Sequence, residues 1–141
     1  MTLIDFYVLK VATLEEQQHF ACRLIEKAVR QGNRVMVATK NENESQQLDE
    51  YLWSFRPDAF VPHTILGDST SGNTPVLISH AEDDDSHHDV LVNLRLAVPP
   101  QFSRFKRLAE VVIQEKSVLE NSRLSYAYYK QRGYPINTHK L

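Results

Sequence analysis

Asp83, Asp84, Asp85, Ser86, His87, His88 and Asp89 form the densest run of chemically capable side chains in the sequence. Carboxylates and imidazoles together are donors for a divalent metal, so the enzymatic reading they allow is a small metal-dependent hydrolase built on His87, His88 and the nearby aspartates. The spacing argues against it. Adjacent residues of a strand face opposite sides of a sheet, and no distant cysteine or His-Glu-x-x-His pair supplies the rest of a tetrahedral set. The run reads instead as a solvated loop from Ala81 to His88, as does Gly67 to Thr74 by its Gly, Ser, Asn and Thr content. Serine, histidine and aspartate for a nucleophilic triad occur in any chain of this size, and no Gly-x-Ser-x-Gly elbow presents one. A phosphate loop is absent too. The first strand–helix junction, Lys10-Val11-Ala12-Thr13-Leu14, has no glycine, all four glycines lie elsewhere, and there is no Gly-Lys-Ser/Thr. No cofactor or metal is expected.

Two other constellations suit recognition. On a helix from Ser117 to Arg132, Leu119, Arg123, Tyr126 and Lys130 fall within about 60° of one another at 100° per residue. A guanidinium beside an aromatic ring suits a terminal carboxylate or an acidic, apolar-tipped peptide: the fork binds oxygen in pairs and the ring covers a side chain. The same spacing also describes a surface helix whose cations merely snorkel, and both readings stay open on spacing alone. Val118 and Tyr129 lie on a neighbouring stripe that faces the sheet. On the preceding helix, Glu42 to Phe55, Trp53 lies about 140° from Leu48, off the Leu48, Tyr51, Leu52, Phe55 stripe. Phe60, Val61 and Pro62 follow an Arg56-Pro57-Asp58 turn and extend that patch. Such an aromatic is an interface anchor, or else it folds against the Phe60 loop as satellite core.

The elements that position these residues follow from periodicity. Apolar runs at Leu3 to Leu9, Val35 to Ala38, Val76 to Ile78, Val90 to Val98 and Leu108 to Ile113 read as strands, several continuous enough to be central. A first helix opens on the capping box Thr13-x-x-Glu16, presents Phe20, Ala21, Leu24, Ile25, Ala28 and Val29, and stops at Gly32. The third helix carries a similar signature, Ser117-x-x-Glu120, and ends at Gly133. Strand–helix alternation predicts an α/β three-layer sandwich. It would be a mostly parallel sheet of about five strands with helices on both faces, nucleotide-binding-like in topology but without a nucleotide site. With 141 residues and no linker or repeat, residues 1–141 read as one domain.

The formal charge of -2 is unevenly spread: Asn121 to Leu141 holds Arg123, Lys130, Arg132 and Lys140 and no acid, which favours an acidic partner. The cations are too few to argue for duplex nucleic acid, although tyrosines and cations near this end also suit direct single-strand stacking. Cys22, the lone cysteine, sits in an apolar helical stretch and reads as buried and inert. No apolar run approaches the roughly 18 residues of a membrane span, so a cytoplasmic location is expected.

The blocks Asp5-Phe-Tyr-Val-Leu, Arg34-Val-Met-Val-Ala, Leu48-Asp-Glu-Tyr-Leu-Trp53, Phe60-Val-Pro-His63, Asp89-Val-Leu-Val-Asn-Leu94, Glu110-Val-Val and Arg132-Gly-Tyr resemble, in order and over nearly the whole chain, the chi subunit of bacterial DNA polymerase III. The Leu-Asp-Glu-x-Leu-Trp block followed by Phe-Val-Pro-His is the most specific. The resemblance implies a non-catalytic accessory subunit of the clamp-loader complex, with DNA contacted only indirectly. It implies that the acidic C-terminal tail of single-stranded DNA-binding protein, ending in Pro-Phe, docks at Arg123 and Tyr126; by its place on the same helix face, Leu119 is then expected to cover the phenylalanine together with Tyr126. The psi subunit, or alternatively a helicase-like repair protein, is implied at Trp53 and Phe60. Two departures stand out. The family can carry a lysine directly after the docking tyrosine, where this chain has Ala127, which leaves Lys130 as the second cation. The Gln114 to Lys116 loop is also shorter, which leaves Val112 or Ile113 as candidates for the apolar wall.

Overall fold

The structure, a computed structural model, describes residues 1–66, 74–81 and 86–141. Asp83, Asp84 and Asp85, and the loop reading over Gly67 to Asn73, lie outside the described residues.

Among the described residues seven strands form one sheet: β1 (Leu3–Val8), β2 (Val35–Ala38), β3 (His63–Ile65), β4 (Val76–Ser79), β5 (Val90–Asn93), β6 (Arg107–Val112) and β7 (Ile136–Lys140). They lie in the order β3-β4-β2-β5-β6-β1-β7, and every pairing is parallel. The sequence reading found the five apolar ones. It missed β3, which has three residues led by a histidine, and β7, whose Ile-Asn-Thr-His-Lys has no apolar run because most of it is exposed at an edge. It also overran β5, because Asn93 ends that strand by accepting the Arg95 N–H on its own side-chain oxygen at 2.9 Å.

Among the described residues the α-helices are α1 (Leu14–Arg30), α2 (Glu42–Ser54) and α3 (Lys116–Gln131). From β1 the chain moves toward the β3 edge through α1 and α2, while after β6 it moves the other way through α3. Right-handed crossovers therefore put α3 on the opposite face from the other two. Side-chain alternation in β1 agrees: Phe6 meets Tyr126 and Tyr129 of α3 (ring centroids 5.5 and 6.1 Å), and its neighbour Tyr7 meets Phe20 of α1 at 5.5 Å.

Local signals fix the helix ends. Thr13 Oγ1 accepts the Glu16 N–H at 3.2 Å and donates to the Glu16 carboxylate at 2.8 Å. Gly32 and Gly133 supply the left-handed residues past α1 and α3, at φ +90° and +79°. The Ser117-x-x-Glu120 signature does not start α3. Glu115 does, its carboxylate accepting the Ser117 and Val118 N–H groups at 3.1 Å each, which leaves Ser117 inside the helix. Those two amide donors hold the Glu115 carboxyl below its ordinary range. Cys22 is fully buried, and burial pushes its thiol up to about 12, the inert state the sequence suggests.

Candidate docking surfaces

In an open α/β sheet, ligands enter beyond the carboxyl ends of strands where neighbouring connections diverge to opposite faces. Here those places lie between β1 and β6 and between β2 and β5, and this chain's own side chains occupy them. Gln114 Nε2 donates to Leu9 O and Gln17 Nε2 to Val111 O, each at 2.9 Å. Arg95 donates to Thr39 O at 2.9 Å and to Ser79 O at 3.1 Å, at the ends of β2 and β4. A nucleotide would have to displace four hydrogen bonds.

The histidines of the acidic run diverge. His87 is fully buried, with Nε2 3.0 Å from Thr74 O and Nδ1 3.0 Å from Ser86 Oγ, whereas His88 is exposed. Asp89 accepts the Arg34 N–H at 2.8 Å. Among the described residues, no three His, Cys, Asp or Glu side chains gather as metal donors.

The face of α3 has a clear architecture. Val118, Ser125 and Tyr129 are buried against the sheet, as the stripe analysis expected for Val118 and Tyr129. Tyr129 is bound to Glu110 of β6, and Asn93 Nδ2 bonds both oxygens of the same carboxyl at 3.0 and 3.1 Å. This fixes the rotation of α3 and leaves Tyr126 on the flank toward β1 and β7, 38% exposed, with its inner edge on Phe6. Lys130 Nζ lies 5.9 Å from the Tyr126 ring centroid, and Arg123 is exposed one turn earlier. Among the described residues neither cation forms a salt bridge, although the exposed Glu120 lies three residues before Arg123. Leu119 is partly buried and packed on the core, so the four residues form a rigid aromatic and apolar ledge edged by positive charge. Val112 and Ile113 are 5% and 0% exposed, which removes both as candidates for an accessible apolar wall.

The second patch is equally defined. Trp53 is 51% and Phe60 74% exposed, their centroids 5.8 Å apart. The two alternatives left open by spacing are thus both partly realised, since Trp53 does fold against Phe60, yet the pair stays wet. Val61 is 1% exposed and anchors the segment inward; Pro62 is partly buried. Beneath the indole, 4.3 Å away, lies the His63 ring. Its Nδ1 is 2.6 Å from Val61 O, and its Nε2 is 3.0 Å from Asp49 O and 3.1 Å from Asp49 Oδ1. His63 ties the Phe60 segment to α2 and was not singled out from sequence; its place two residues after Val61 in a Pro-His pair was the available signal.

Residues 1–137 match the family profile described as DNA polymerase III chi subunit, HolC. The chain belongs to the chi family. Three relatives, each named DNA polymerase III subunit chi, agree over almost their full lengths. The protein of Pseudomonas aeruginosa is 38% identical, covering 100% of this chain and 98% of its own. That of Escherichia coli is 30% identical over 94% of each. That of Haemophilus influenzae is 26% identical over 97% of this chain and 96% of its own. Among solved structures, T4 UvsW superposes with a TM-score of 0.70 at 7% identity, over 99% of this chain and 41% of that one, a likeness of fold. Chi membership makes this a subunit of a DNA replication polymerase, with protein partners in that complex. No helix among the described residues is long and apolar enough to cross a membrane.

Proposed function

We propose that this chi protein is a single-domain, non-catalytic adaptor of the DNA polymerase III holoenzyme. It binds the acidic C-terminal tail of single-stranded DNA-binding protein on α3 and the psi subunit at the Trp53 patch, linking the clamp loader to coated lagging-strand DNA. The observation that carries this reading is the ledge itself: a half-open Tyr126 ring between two cations, neither with an acidic partner among the described residues. Arg123 pairs with the tail's terminal carboxylate, Tyr126 and Leu119 cover its phenylalanine, and Lys130 holds the preceding acids. Trp53 and Phe60 contact psi, with Pro62 beside them and Val61 as their anchor; a helicase-like repair protein would use the same patch.

Titration of a labelled tail peptide tests the first surface. Arg123→Ala should weaken binding roughly tenfold to hundredfold, as expected for a charge-assisted contact worth about 1.5–3 kcal/mol, and equal affinities would discard the assignment. For the second surface, Trp53→Ala should abolish co-purification with psi while tail binding persists. Loss of both would mean that the variant had not folded.

A further inference from the structure

Resting on the docking reading of α3, we propose that the free edge of β7 continues the same site. An acidic peptide anchored at Arg123 and Tyr126 would lie along β7 and add to the sheet as an eighth strand.

The register places the right groups together. Ile136, Thr138 and Lys140 pair with Ile4, Phe6 and Val8 of β1, and Phe6 is the residue on which the Tyr126 ring rests. Residues paired across a parallel ladder share a face, so these three point to the α3 side. The intervening His139 is on the other face, stacked on Tyr7 at 4.7 Å and bonded to Asp5 at 3.0 Å. Because α3 leaves the end of β6 and returns to the start of β7, helix and strand run in opposite directions. Along that shared axis Arg123 lies about 4.5 Å and Lys130 about 6 Å on either side of Tyr126, while Lys140 and Ile136 lie about 6.6 Å on either side of Thr138. Arg123 is thus level with Lys140, and Lys130 with Ile136.

The backbone of the same three residues is available. Pro135 O accepts from Ile4 N and Leu141 N donates to Val8 O, both at 3.0 Å, so the odd-numbered residues bond inward to β1. The N–H and C=O groups of Ile136, Thr138 and Lys140 turn outward, and among the described residues no strand of the sheet lies beyond them. An open edge invites strand addition, and its charge selects the partner. From Asn121 to Leu141 there are four Lys or Arg residues and no acid, so an incoming acidic strand meets a cation at each end.

The test uses full-length protein and a labelled peptide of acidic residues ending in Pro-Phe with a free carboxylate. Thr138→Pro removes one outward N–H that β1 does not use, which an edge strand tolerates, and should weaken binding about three- to tenfold with circular dichroism unchanged. Lys140→Glu, at an exposed position, should weaken it about fivefold and decides the matter if Thr138→Pro does not fold. Loss in Arg123→Ala with unchanged affinity in the strand variants overturns the β7 proposal and keeps the docking reading. No loss in Arg123→Ala discards both.

Discussion

Tyr129 donates its phenolic proton to Glu110 across 2.6 Å, in a buried space between α3 and β6. This bond orients the helix that carries the candidate tail site, since it holds the buried side of α3 down and turns Tyr126 outward. Tyr129→Phe keeps the ring and deletes the donor. Unfolding in urea at pH 8, where Glu110 is ionised, should show a loss of about 1.5–3 kcal/mol, the range for a hydrogen bond to a charged group. At pH 5, with the carboxyl protonated, the loss should be smaller. Equal losses at both pH values would show that the carboxyl stays in one charge state.

Glu110 also makes stability depend on pH. Burial raises its carboxyl from the ordinary 4.5 to about 7, while the bonds from Tyr129 and Asn93 pull the other way. With the folded value above the unfolded one, folding takes up a proton between the two. The contribution is fully present below 4.5 and is lost as pH rises through 7. Relative to Glu110→Gln, the wild type should lose on the order of 3 kcal/mol over that window. Parallel stability profiles for the two proteins from pH 4 to 8 would refute this linkage.

Central strands, helix spans and the orientation of α3 were legible because each has a period or an apolar run that burial imposes. Leu48, Val118 and Tyr129 fell inward as their spacing required. Edges were not legible: β7 is mostly exposed and needs no apolar run, while β3 is only three residues long and buries the polar His63 and Thr64, so hydropathy passes over both. The α3 cap was misplaced because Ser117 and Glu120 imitate a capping box, whereas Glu115, one residue outside the helix, takes both amides first. The position of Trp53 off the buried stripe followed from helical phase, but its His63 support did not, since that contact joins α2 to a strand 10 residues later in sequence. The sequence could not separate a docking ledge from a wet surface helix. The fold adds that Tyr126 packs on Phe6 from beneath.

Within the second patch, neighbouring residues should behave oppositely. Phe60 is 74% exposed and Val61 1%. Phe60→Ala should leave unfolding free energy within about 0.5 kcal/mol. Val61→Ala, which deletes two buried methyl groups, should cost on the order of 2 kcal/mol. Thermal or urea melts compare them directly, and a larger loss for Phe60→Ala would reverse their assigned roles.

Glu115→Gln tests the revised start of α3. The carboxylate is held below its ordinary range by two N–H groups, so its contribution is present above the ordinary value and is lost as pH falls through the lowered one. At pH 7 Glu115→Gln should lower the melting temperature and Ser117→Ala should leave it nearly unchanged. The reverse ranking would restore Ser117 as the cap.

Lys130 and Ala127 offer a charge-transfer test of the tail site. Lys130 already lies 5.9 Å from the Tyr126 ring, and Ala127 is exposed beside it on the next turn. Both positions are solvent-facing and both residue types favour helix, so exchanging them should leave folding unperturbed. Lys130→Ala should weaken the acidic peptide about two- to fivefold at low salt and flatten the dependence of affinity on salt concentration. Adding Ala127→Lys to that variant places a cation on the other side of Tyr126 and should recover both the affinity and the salt slope. Anisotropy titrations of the peptide at several salt concentrations measure both quantities. If Lys130→Ala binds as the wild type does at low salt, the second charge is not supplied from that turn; if only the double variant binds more tightly than wild type, the cation belongs at position 127.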